Sequence, residues 1–159
     1  MEGSTKKALL LIGLLAVFIT TLQPAIASSP AIVGEISGVE LCPESVCDAA
    51  IFTGTCDCIV KQRHTVGFFW VALQHDPLPN PLESSAILGG KWTLTTLSGN
   101  FSGKVLDGTI VNNNDNTFTV TARLRLQKGG KGDVIVSGVL DHSDFPPSPP
   151  TFEGELTQP

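Results

Sequence analysis

The chain has 159 residues, of which 10 are Lys or Arg and 15 are Asp or Glu, giving a formal net charge of −5 at pH 7. A chain of this length suits one domain around one core. Its acidity and its lack of a basic stripe exclude nucleic acid and anionic membrane as expected partners, because neutralising phosphates requires clustered Lys and Arg.

Residues 1–27 read as a cleavable export signal. Lys6 and Lys7 flank the apolar run Ala8 to Ile19, which is shorter than the roughly 20 apolar residues of a spanning helix. Pro24 and the small-x-small site Ala25-Ile26-Ala27 follow, predicting cleavage before Ser28 and no membrane span after it. Residues 28–159 then form the mature domain. Without Lys6, Lys7 and Glu2, its 8 basic and 14 acidic residues leave a net charge of −6. The expected location is secreted, periplasmic or otherwise extracytoplasmic.

Strands are expected at Ala31 to Leu41 and Ala49 to Cys58, and every cysteine lies on or between them: Cys42, Cys47, Cys56 and Cys58. The spacing matches neither the paired C-x2-C of zinc ribbons nor the C-x-x-C of thioredoxin-like enzymes. Export brings an oxidising environment, so structural disulfides are expected, stapling the first hairpin. Two pairings fit. Cys42 with Cys58 and Cys47 with Cys56 would nest across the hairpin, whereas Cys42 with Cys47 would leave Cys56 and Cys58, which point to one face of an extended strand.

The next segments are Thr65 to Gln74 and Ala86 to Leu97. They carry Phe68, Trp70 and Trp92 in apolar contexts, expected in the core and able to line an interior that receives a small apolar ligand. Phe101 to Val111 is then joined through an Asn-rich turn to Asn116 to Gln127, the clearest element. There Phe118, Val120, Ala122, Leu124 and Leu126 alternate with Thr119, Thr121, Arg123, Arg125 and Gln127, the period of a half-buried strand. Arg123, Arg125, Lys128 and Lys131 gather positive charge on one exposed ribbon. Asp133 to Asp141 completes a meander, and Thr151 to Thr157 follows the stiff connector Pro146 to Pro150. The chain thus reads as an all-β domain of about eight antiparallel strands. A barrel closed by the last strand beside the first is favoured over a two-sheet sandwich, because closure removes both edges and the many in-strand glycines suit curvature.

Two loops echo each other. His75-Asp76-Pro77 and His142-Ser143-Asp144 each leave a strand through a His, followed by an Asp and prolines. His75, Asp76, Asp141, His142 and Asp144 together would be ligand types for zinc or iron, or a general base beside an acid. Ordinary turn chemistry explains the same residues. Counting three strands between the loops places them at opposite barrel ends, which argues against a joint site, and no cofactor is expected.

Three functions remain: a noncatalytic exported β domain acting by surface contact or as an envelope component, a carrier of small apolar ligands, and a metal-dependent enzyme. A partner protein or a small apolar ligand is the expected contact. An interior too small for a ligand would exclude the carrier, and a filled core beneath an exposed apolar patch would favour surface contact.

Overall fold

A computed structural model describes residues 32–42 and 49–159; the expected export signal, the Cys42 side chain and Cys47 lie outside the described residues. Eight strands follow in order: β1 Ile32–Cys42, β2 Ala50–Val60, β3 Arg63–His75, β4 Ser84–Thr96, β5 Gly99–Asn112, β6 Thr117–Lys128, β7 Asp133–Asp141 and β8 Thr151–Thr157. Each pairs antiparallel with the next, and β8 returns to β1 with Glu35 opposite Glu155. The domain is therefore a closed up-and-down barrel without a free sheet edge.

The two-residue period decides what fills it. On β6 the side chains of Phe118, Val120, Ala122, Leu124 and Leu126 are buried, while Thr121, Arg123 and Arg125 face out. Each large apolar side chain taken inside contributes about 1.5–3 kcal/mol of transfer free energy. Inward glycines make room for the rings. Gly38 and Gly54 face each other across β1 and β2, and a Cβ at Gly54 would lie 2.8 Å from the ring of Phe69. Gly138 and Gly154 repeat the arrangement across β7 and β8, and a Cβ at Gly138 would lie 2.6 Å from the ring of Phe152.

Phe69 thereby sets the parity of β3, the element for which the sequence expectation needs correction. Both faces of this strand are apolar. With Thr65, Gly67, Phe69 and Leu73 pointing in, Val66, Phe68 and Trp70 point out, exposed to 57%, 69% and 37%. Phe68 and Trp70 therefore do not line the interior. Because side chains alternate strictly, the aromatic that covers the glycine pair forces its neighbours outward. Trp92 does point in, with 4% exposure, and its indole N–H donates to the Arg125 carbonyl.

β2 and β3 also run further than expected, meeting in the two-residue turn Lys61-Gln62 with Val60 opposite Arg63. Both turn residues have positive φ, 49° and 67°, the geometry whose twist matches that of a hairpin.

Candidate functional site

The loops at His75 and His142 leave the barrel at the same end, contrary to the expectation of opposite ends. Four strands, β4 to β7, separate the two exits, and an even number returns a meander to the end it left. His75 and His142 line one small cavity of about 10 Å³ together with Glu40. Asp76 and Asp144 stay in the solvent-exposed loops. Asp141, at the end of β7, accepts a hydrogen bond from the Ser143 amide at 2.8 Å, and the Ser143 hydroxyl is the main group holding its carboxyl below the usual range.

Glu40 is the residue that sequence reasoning missed. It closes β1 on the inward parity of Ile32, Gly34, Ile36 and Gly38, just before a register shift at the barrel rim. Its place at an apolar parity was the available signal. It is 3% exposed, and burying a carboxylate is costly unless a cation or donor meets it. His142 meets it, Nε2 to Oε2 at 3.2 Å. The two atoms lie within ion-pair distance, charged on the His142 side only when the imidazole is protonated, and they are not aligned as a hydrogen bond. The imidazole is gripped edge to face by Phe118 at 5.1 Å and Phe145 at 6.2 Å between ring centroids. Backbone bonds fasten the same region: the Glu40 amide donates to the Pro150 carbonyl and the His142 amide to the Asn116 carbonyl, each at 2.9 Å. The pair thus ties the loop between β7 and β8 to the rim of β1.

An imidazole beside a carboxylate can hold and move a proton, but the space before this pair is walled by Phe52, Leu73, Ile110 and Leu140. His75 turns its ring Nδ1–H to the Asp76 carbonyl at 2.6 Å. Among the described residues no three His, Cys, Asp or Glu side chains are placed to hold a metal ion. The cluster has the geometry of an internal lock.

The barrel interior offers little more room. Its apolar cavity, bordered by Phe52, Phe69, Trp92, Leu124 and Phe152, has a volume of about 50 Å³, against roughly 300–1,000 Å³ for small-molecule sites. Of the cysteines, Cys56 is bonded to Cys58. This is the pair left by the second of the two expected pairings; both residues belong to β2 and are buried, so the bond lies within one strand rather than across the hairpin, and the partners of Cys42 and Cys47 lie outside the described residues.

Among the accessible surfaces is the outer wall of β3. Thr53 and Thr93 flank Trp70 across the neighbouring strands, and Thr55 and Thr95 flank Phe68. The result is an apolar strip bordered by uncharged hydroxyls at Phe68 and Trp70, with Val66 extending it toward the turn between β2 and β3 opposite the carboxylate of Asp57. No known protein family, curated protein or solved structure matches the chain.

Proposed function

We propose that this chain is an exported, noncatalytic β domain that works by surface contact, the outer wall of β3 being its recognition surface. The observation that carries the reading is the strip Val66, Phe68 and Trp70, large apolar side chains left in solvent on a barrel whose interior is already filled. Contiguous exposed apolar surface of this kind marks interaction sites in soluble domains, and aromatic side chains dominate the energetics of such contacts. The Lys-flanked apolar run and the Ala25-Ile26-Ala27 site support export, with residues 28–159 as the mature form.

The test is native mass spectrometry of the protein taken without refolding from its host's secreted or envelope fraction. It compares the wild type with Phe68→Ser/Trp70→Ser at equal melting temperature. The expected result is a wild-type mass starting at Ser28 with a macromolecular companion that the double variant loses. A companion retained by the variant, or a small molecule or metal bound in its place, would overturn the reading.

A further inference from the structure

We propose that copies of this chain associate side by side, the β8–β1–β2 wall of one against the β4–β5–β6 wall of the next. The register places Asp57 opposite Glu35 and Glu35 opposite Glu155, so three exposed carboxylates form one row across β2, β1 and β8. Glu153 adds a fourth on the same outer face of β8, and the group borders an open concavity of about 710 Å³. On the other side Lys91 stands opposite Lys104 and Lys104 opposite Arg125, an exposed row of cations across β4, β5 and β6.

Within the chain Arg125 is paired with Asp133, and His64 lies beside Asp57. Glu35, Glu153 and Glu155 on one wall and Lys91 and Lys104 on the other form no ion pair among the described residues. Like charges directly opposed on neighbouring strands destabilise a sheet, and the barrel carries such a row of each sign. β1 and β5 are four strands apart in a ring of eight, which puts the two rows on opposite sides.

A second copy is the partner that fits, because this chain itself presents the complementary wall. A polycation would satisfy only the carboxylate row and leave the lysines opposed. Flexible lysine stems can reach from one copy into the concavity of the next, relieving both rows at once. With its two faces on opposite sides the contact is heterologous, so a pair still exposes one wall of each sign and association extends in rows. It does not use Phe68 or Trp70 and stands independently of the proposed function.

The experiment is sedimentation of the mature chain across a salt series, with two neutralising variants, Glu35→Gln/Glu155→Gln and Lys91→Gln/Lys104→Gln. The wild type should form concentration-dependent oligomers at low salt, weakening about tenfold or more as ionic strength rises and the screening length shrinks toward 3 Å. Each variant alone should remain monomeric with unchanged melting. Their equimolar mixture should give a 1:1 dimer and nothing larger, because only one pair of walls survives. A monomeric wild type at low salt, association indifferent to salt, assembly by either variant alone, or a mixture that stays monomeric would overturn the proposal.

Discussion

Replacing His142 with alanine should destabilise the barrel by roughly 1–3 kcal/mol, because the buried Glu40 carboxyl loses the polar group nearest it and a buried polar atom left without a partner costs about that much. Glu40 is almost fully buried, but the His142 side chain keeps 18% of its surface in solvent, and rim water can relieve part of the loss. The contacts of the imidazole with Phe118 and Phe145 disappear in the same substitution, so the single variant does not isolate the polar contact with Glu40. A double-mutant cycle does. Glu40→Gln replaces the carboxyl with an amide of the same shape, and Glu40→Gln/His142→Ala should be less destabilised than the sum of the two single variants by about 1 kcal/mol or more. The assay is equilibrium urea unfolding at pH 7, read as a shift in midpoint at constant slope. A loss below about 1 kcal/mol for His142→Ala, or an additive cycle, would show that water solvates Glu40 and that the pair is not a lock.

Leu124→Asp should prevent folding by placing an unpaired charge among the buried residues of β6. Arg123→Asp, one position away on the outer face, should leave the fold intact with little change in melting despite losing its exposed pair with Asp107; circular dichroism melts separate the two outcomes. Gly54→Val should lower the melting temperature strongly, because its Cβ would press on the ring of Phe69 and on the Ser37 carbonyl, and a variant melting like wild type would disprove the glycine-aromatic packing. Carboxyl NMR titration should find Asp107 and Asp133 with midpoints below the ordinary 3.8, chiefly because Arg123 and Arg125 respectively hydrogen-bond to them. A depressed folded value means their contribution to stability is complete above that ordinary value and is lost as pH falls through the folded midpoints. Both pairs are exposed, so the contribution should be small and should shrink with salt. Midpoints at or above 3.8 would contradict the pairing.

Much of the fold was legible because a strand writes its two faces into alternate residues. β6 reads directly, and β7 and β8 match their expected bounds, since their flanking Gly and Pro residues punctuate them. The hairpin of β2 and β3 was harder to read, because Lys61-Gln62 takes positive φ without the Asn or Gly that normally signals such a turn. The candidate sites were less legible. His75 and His142 stand out as residue types, but whether they meet depends on strand parity, and β7 is the strand that makes the number between the two exits even. Glu40 drew no notice because an isolated acid in a strand resembles surface punctuation until its neighbours Ile32 and Ile36 are known to face inward.

The sequence by itself determined that the chain is all-β, how many strands it has, and which residues alternate on most of them, because those properties are set by local periodicity and turn chemistry. Only the tertiary structure decided which face of β3 is inside, that Glu40 and His142 pair, and that acidic and basic rows lie on opposite walls. Each of these depends on register and closure between strands far apart in the chain. When both parities of a strand are apolar, the choice falls to packing, and here the ring of Phe69 over Gly38 and Gly54 turns Phe68 and Trp70 to the solvent.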